Sequence, residues 1–442
     1  MDREFFAGQP VPTYTILKGD CLERIKELED CSIDSCVTDP PYHLQSIVDR
    51  FGGENSSPAK LGTDGLFQRS SRGFMGKSWD GGDIAFRIDL WKEIYRVLKP
   101  GAHMIAFGGT RTIHRITCAI EDSGFQVRDL LSWIFYTGFP KNYNIPKGID
   151  SKVLLGSVGS QRWEELYELR PGESQEAPQL PSNGILSTKM GSGLDNQNIA
   201  TEEARRWKGW GTALKPAQEN AVLVRKPLEK GLTIAENVMK WGTGGINIDQ
   251  SRVPPGDKRW MGPQNKLKVT TNKGAKFRIA HEQMDNGGFN DPEREHVLTP
   301  HSLGRWPANV FHFPKPSRAE KEQGLEHLES STGFDVNGRK PENVGHQNPR
   351  AGTGRTATEI RNTHPTVKSL DLMSYLVNMV TPKGGLVLDP FLGSGSTMVS
   401  CILNDFDSIG MELTEEYWSI IEGRTAWALK QWKHNNAQYR LF

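Results

Sequence analysis

Asp39-Pro40-Pro41-Tyr42 sets a carboxylate, two prolines and an aromatic ring in consecutive positions, directly after the apolar run Ile33 to Val37. That combination suits the activation of an exocyclic amine. The lone pair of such an amine is delocalised into its ring, which makes it a poor nucleophile. A site that accepts hydrogen bonds from both amino hydrogens favours a pyramidal nitrogen with a directed lone pair. Asp39 and a backbone carbonyl held by Pro40 and Pro41 could supply the acceptors, because proline fixes φ and brings no competing N–H. Tyr42 adds a face for a base extracted from its duplex. An ordinary strand-ending turn uses the same residues, so the tetrapeptide alone leaves both readings open.

A second constellation lies far downstream. Asp389-Pro390-Phe391-Leu392-Gly393-Ser394-Gly395-Ser396-Thr397 follows the apolar run Leu386-Val387-Leu388. A buried strand, a glycine turn and a helix in that order bring backbone N–H groups and small residues close to a ligand. Glu412 stands 23 residues after Asp389, at the end of the strand-like Ser408 to Met411. An acid at that place can accept hydrogen bonds from ribose hydroxyls. Gly-x-Gly turns are common, and Glu412 is what gives this one weight.

The elements that must position these groups alternate. Strands are expected at Thr15–Leu17, Ser32–Val37, His103–Phe107 and Val127–Tyr136, with helices at Cys21–Leu28, Leu90–Leu98 and Ile113–Glu121. Lys99-Pro100-Gly101 reads as the stop of the second helix. The C-terminal part repeats the pattern: helices at Leu370–Val380, Thr397–Leu403 and Glu415–Trp432, strands at Leu386–Leu388 and Ser408–Met411. Such alternation predicts an α/β sheet covered on both faces. Residues 171–202 and 285–362 are polar and rich in turn formers, apart from a strand candidate at Ala308–Phe313. The expectation is one sheet interrupted by a large insertion.

DPPY and DPFLGSG resemble the catalytic and S-adenosylmethionine motifs of amino-group DNA methyltransferases. Their order, catalytic motif first and cofactor motif last, resembles the circularly permuted beta class. Further matches are Gly19-Asp20, similar to the strand end at the cofactor's adenine, and His364-Pro365-Thr366 with Lys368, similar to the segment that helps bind the methionine carboxylate. Leu98-Lys99-Pro100-Gly101 and a late strand from Lys215 through Val224, near 219–226, also match. The resemblance implies a Rossmann-like sheet of seven strands, with a catalytic half at 13–140, a target-recognition insert at 141–361 and a cofactor half at 362–442. It implies Asp39, Pro40, Pro41 and Tyr42 as catalytic residues. Cofactor contacts would come from Asp20, His364, Thr366, Lys368, Asp389, Pro390, Phe391, Gly393, Ser394, Gly395, Thr397 and Glu412. Asp rather than Ser before the prolines favours N6 of adenine over N4 of cytosine. Since the sulfonium activates the methyl group, the expected reaction is direct in-line attack without a covalent enzyme intermediate. Related turns in RNA and protein-glutamine methyltransferases carry Asn before the prolines and put the cofactor motif first. A DNA-binding regulator with a dead site is the rival from another class.

The net charge of +1 excludes crude basicity as a sign of nucleic-acid binding, but its distribution is uneven. From Arg205 to Arg278 there are sixteen Lys or Arg against five acids, interleaved with Trp207, Trp210, Trp241, Trp260 and Phe277. Such a stretch suits phosphate contact, with Arg252, Lys258, Arg259, Lys266, Lys268, Lys273, Lys276 and Arg278 as candidates on double-stranded DNA. The tryptophans are read as core. The glycine- and serine-rich segment between Tyr42 and Ile84 could close as a lid. Five cysteines without a CxxC pair argue against a disulfide framework or zinc site and are read as core. With no signal-peptide pattern and no membrane-length apolar run, a cytoplasmic protein is expected, as a homodimer by resemblance.

Overall fold

The computed structural model describes residues 4–6, 8–42, 83–135, 138, 142–156, 199–253, 304–332 and 359–438. Among them eight strands form one sheet: β1 (Tyr14–Lys18), β2 (Ile33–Thr38), β3 (Leu98–Gly108), β4 (Gln126–Ile134), β5 (Gln218–Arg225), β6 (Val310–His312), β7 (Leu386–Asp389) and β8 (Asp407–Glu412). Their spatial order is β1-β8-β7-β2-β3-β5-β4-β6. Every neighbour pair is parallel except those of β5, which runs against both β3 and β4. The expected seven strands are thus eight. The extra one is β6, the core of the Ala308–Phe313 candidate, which joins the edge of β4.

Central strands read as continuous apolar runs because both faces are covered. All six residues of β2 are buried. Successive side chains go to opposite faces. Cys36 and Met104 pack with Leu90, Trp91 and Ile94 of α2 (Ile88–Val97) and with Ile116 and Ile120 of α3 (Ile113–Asp122). Their strand neighbours Val37 and Ile105 pack on the other side with Leu372, Met373 and Leu376 of α4 (Leu370–Val380). Beyond α4 lie α5 (Ser396–Leu403) and α6 (Glu415–Gln438), sharing a core through Val399, Ile402 and Ile421. Before β2 the described residues make one short helix, α1 (Cys21–Arg24), which passes into a 3-10 turn at Ile25–Glu27.

The expected stop at Lys99-Pro100-Gly101 is instead part of β3. The helix ends at Val97 and the strand begins at Leu98. Ile33 pairs with Leu98 and Ser35 with His103, so β3 spends five steps where β2 spends two. Pro100 cannot donate to the ladder and Gly101 has φ +81°, so these residues form a bulge. The Val127–Tyr136 strand is observed as Gln126–Ile134, and the last helix runs past Trp432 to Gln438. Helices at Ile145–Leu155 and Ile234–Trp241 lie in the central region, where no helix was expected. The lid candidate and most of residues 171–202 and 285–362 lie outside the described residues. Among the described residues no helix is long and apolar enough to cross a membrane.

Strands from opposite ends of the chain meet at the sheet centre. Val387 pairs with Ser35 and Leu388 with Cys36. Just past this pairing, buried Thr38 donates its hydroxyl to Asp389 Oδ1 at 2.7 Å. Thr38→Val would keep the shape and strand propensity but leave that carboxylate short of a donor. Its unfolding free energy in urea should fall by about 1–3 kcal/mol.

Candidate functional site

Four strand ends converge on one edge of the sheet: Lys18 of β1, Thr38 of β2, Asp389 of β7 and Glu412 of β8. The carboxyl ends of parallel strands are where α/β sheets open a crevice for ligands. A cavity of about 340 Å³ lies there. That is within the roughly 300–1,000 Å³ of small-molecule sites. Its wall takes residues from both ends of the chain: Gly19, Asp20, Asp39 and Pro41 from one, and His364, Thr366, Lys368 and the run Asp389 to Ser394 from the other. Ser396, Thr397, Glu412, Thr414 and Tyr417 complete that side.

The glycine turn is tight by construction. Gly393 has φ +55° and Gly395 φ +79°, conformations that L side chains rarely adopt. A Cβ on Gly393 would stand 2.8 Å from His364 Nε2, while His364 packs edge-on against Tyr417 at 4.6 Å. Glu412 braces the turn: Oε2 accepts the Gly393 N–H at 2.7 Å and Oε1 accepts the Thr414 N–H at 2.7 Å. A carboxylate offers about four acceptor positions, so acceptor capacity beyond these two N–H groups remains. Burial raises Glu412 above an ordinary glutamate, against the pull of those backbone donors. Burial likewise pushes Asp389 up to about 6, opposed by hydrogen bonds from Thr397, Thr38 and the Phe391 N–H. Asp20 caps α1, its Oδ1 accepting the Leu22 N–H at 2.8 Å.

The turn that bears Asp39 and Tyr42 holds a charged cluster. Lys368 Nζ donates to Asp39 Oδ2 and, at 3.2 Å, to the Tyr42 hydroxyl. The Tyr42 hydroxyl donates to Glu219 Oε2 at 3.4 Å, and the Tyr42 carbonyl accepts from Thr112 Oγ1 at 2.8 Å. Among the described residues the buried Asp39 Oδ1 has no hydrogen-bond partner. Burial raises Asp39 above the usual aspartate value, and the Lys368 ammonium works against that rise. Lys368, expected with the cofactor group, therefore reaches the Asp39 carboxylate as well as lining the cavity.

Several participants carried no motif. Buried Arg424 donates one nitrogen to Ser394 O at 2.6 Å, Ser394 Oγ at 3.0 Å and Ser396 Oγ at 3.2 Å, and burial lowers it to about 10. It reads in sequence as one more charge on the final helix, although its placement among apolar neighbours could have marked it. Glu219 looked like a lone acid in a basic stretch.

Of the expected DNA contacts, Arg252 is described. It bonds Asp249 at 2.8 Å and the Gly304 carbonyl at 3.3 Å and stacks on Trp306, so it ties its own loop together. Lys258, Arg259, Lys266, Lys268, Lys273, Lys276 and Arg278 lie outside the described residues. Trp207 and Trp210 are 44% and 58% exposed and meet edge-to-face, so they are not core. Of the cysteines, Cys21, Cys36 and Cys401 are buried, whereas Cys31 is half-buried and Cys118 exposed.

Residues 33–179 and 181–423 match the model of the DNA methylase family known as N6_N4_Mtase. The chain belongs to this family. It is a DNA methyltransferase, with S-adenosylmethionine as methyl donor. It is similar to the type II methyltransferase M.HindIII of Haemophilus influenzae, 22% identical over 92% of this chain and 94% of the relative. Over 27% of this chain and 31% of the relative it is 30% identical to M.HinfI of Haemophilus influenzae. Among solved structures, the PvuII cytosine-N4-specific DNA methyltransferase aligns with a TM-score of 0.40 and 13% identity, covering 97% of this chain and 95% of that one.

The donor's fit can be tested at the glycine turn. Gly393→Ala should weaken S-adenosylmethionine binding at least tenfold in calorimetry while the far-ultraviolet spectrum stays that of the parent. Asp389 gives a pH signature. A carboxyl whose folded value exceeds its unfolded one binds more protons in the folded state. Its contribution to stability is therefore full below 3.8, falls as pH rises to about 6, and is gone above that. The thermal midpoint of Asp389→Asn should show a smaller fall over that window than the parent.

Proposed function

We propose that the chain is a sequence-specific methyltransferase of the permuted beta class acting on N6 of a flipped adenine in double-stranded DNA. The observation that carries this reading is the carboxylate of Asp39 on the cavity wall. One oxygen is held by Lys368, and the other lacks a hydrogen-bond partner among the described residues. The spare oxygen and the carbonyl of Pro40 are the two acceptors for the amino hydrogens. Tyr42, fixed at its hydroxyl and its carbonyl, backs the base.

S-adenosylmethionine supplies a methyl group already activated on a sulfonium sulfur. The residues therefore have to align rather than activate. Asp39 and Pro40 would direct the nitrogen lone pair, and the glycine turn with Glu412 would hold the donor's nucleoside end. Transfer of the methyl group from sulfur to the amine would leave the nitrogen cationic, and Asp39, whose burial raises its affinity for a proton, would take one from it.

Support for adenine is the aspartate at position 39. The division into a catalytic half at 13–140, a recognition insert at 141–361 and a cofactor half at 362–442 belongs to the same proposal. So do phosphate contacts from the basic stretch and a two-fold dimer, for which composition and resemblance are the grounds.

Purified protein incubated with unmethylated genomic DNA and methyl-labelled S-adenosylmethionine should yield labelled N6-methyladenine on nucleoside mass spectrometry. Label in N4-methylcytosine would overturn the adenine assignment and leave the site's chemistry standing. Asp39→Ala should lose about a hundredfold or more in turnover, with cofactor affinity retained.

A further inference from the structure

A second carboxylate stands behind that of Asp39, on a strand outside the two motifs that carry the site. Glu219 lies near the start of β5, paired across the sheet with Trp133. One of its oxygens, Oε2, accepts from the Tyr42 hydroxyl at 3.4 Å and lies 3.4 Å from Lys368 Nζ. The other accepts from Lys315 Nζ. Lys315 comes three residues after β6 and is held over Trp133 at 4.9 Å and Phe135 at 4.1 Å. The result is a line of alternating charge: Lys315, Glu219, Lys368, Asp39.

The burial of this line argues for a purpose beyond surface pairing. Lys368 is 8% exposed at its side chain, Asp39 19% and Glu219 18%, with only Lys315 reaching 40%. Without Lys315 the three inner charges would sum to −1, which a buried site tolerates poorly. Although burial works to raise Glu219, the ammonium groups of Lys368 and Lys315 hold it below an ordinary glutamate, so it stays charged. Neither Glu219 nor Lys315 is on the cavity wall, whereas Asp39 and Lys368 are. Glu219 therefore reaches Asp39 through its contacts with Lys368 and Tyr42 and through the field of its own charge.

We infer that Glu219 is a positioning residue for methyl transfer: anchored by Lys315, it holds the Lys368 ammonium and the Tyr42 hydroxyl and so fixes the direction of the Asp39 carboxylate. The inference rests on the reading of Asp39 as the acceptor of the target amine. It adds that the geometry of that acceptor is set from β5 and from the segment after β6, outside the two motifs.

The test compares parent, Glu219→Gln and Lys315→Met in single-turnover methylation of a DNA that the parent modifies, beside calorimetric binding of S-adenosylmethionine. Misalignment of an acceptor by a fraction of an ångström is expected to slow Glu219→Gln about tenfold to a hundredfold, with cofactor affinity within about twofold of the parent. Lys315→Met should be slowed less. The pH profile provides a readout that a merely structural role would not move. The charged and titratable groups facing Asp39 are Lys368, Glu219, Tyr42 and, on the neighbouring strand, Asp389. Losing the Glu219 charge removes a like charge and leaves Lys368 to Asp39 alone, so the acid limb of the rate should move to lower pH. Parent-like rates and an unmoved limb in Glu219→Gln would overturn the inference while the parent's activity upholds the reading of Asp39. Should Glu219→Gln fail to fold, the same pair of results in Lys315→Met decides the matter. A parent that methylates no base amine would overturn the reading of Asp39 and this inference together.

Discussion

The parallel pairing of β2 with β7 is the constraint on which the site depends. These strands come from opposite ends of the chain, more than 350 residues apart at Thr38 and Asp389, and the hydrogen bond between those two side chains closes their shared end. The tie is buried, so its donor and acceptor have no water to fall back on. It sets the distance between the turn that bears Asp39 and the turn that bears Gly393. Lys368 is bonded to the first of these turns and Glu412 to the second.

Around that junction, charge is balanced rather than avoided. Lys368 serves two carboxylates and a phenol at once, which is the reason a cluster this deep can stay ionised. Its dual position also links the two sides: the residue that lines the cavity is the one that holds the Asp39 carboxylate. Glu412 and Arg424 do similar service for the glycine turn, the first from the β8 strand end and the second from within the last helix. Both leave the backbone of that turn with fixed partners before any ligand arrives.

The central part of the chain is tied to the site by specific bonds. From the short helix Arg318–Glu322, Glu320 accepts the Leu370 N–H at 2.6 Å and Glu322 the Arg361 N–H at 2.9 Å. Those bonds grip both ends of the segment carrying His364, Thr366 and Lys368. Lys315, just before that helix, reaches Glu219. The region that composition marked as a polar interruption thus supplies part of the frame around Lys368 and Asp39.

Local chemistry was legible in the sequence. The apolar runs at Ile33–Val37 and Leu386–Leu388, the proline pair after Asp39 and the glycines at 393 and 395 each dictate a conformation through sterics over a few residues, and the strands, the turns and the family follow from them. Lys99-Pro100-Gly101 shows the limit: proline and glycine end a helix in isolation, yet here they ride in a strand as a bulge, since β2 pairs with the chain on either side of them, at Leu98 and His103, and the Gly101 N–H is bonded to the carbonyls of Lys226 and Pro227. Arg252 and the two exposed tryptophans show the same limit, since their neighbours are not local. What only the tertiary structure decided is the partnership of Lys368 with Asp39, the recruitment of Glu219 and Lys315 behind it, and the burial of Arg424 under the glycine turn. Those are contacts between side chains up to 329 residues apart, and their energies come from desolvation and charge balance, which exist only once the sheet has brought the strand ends together.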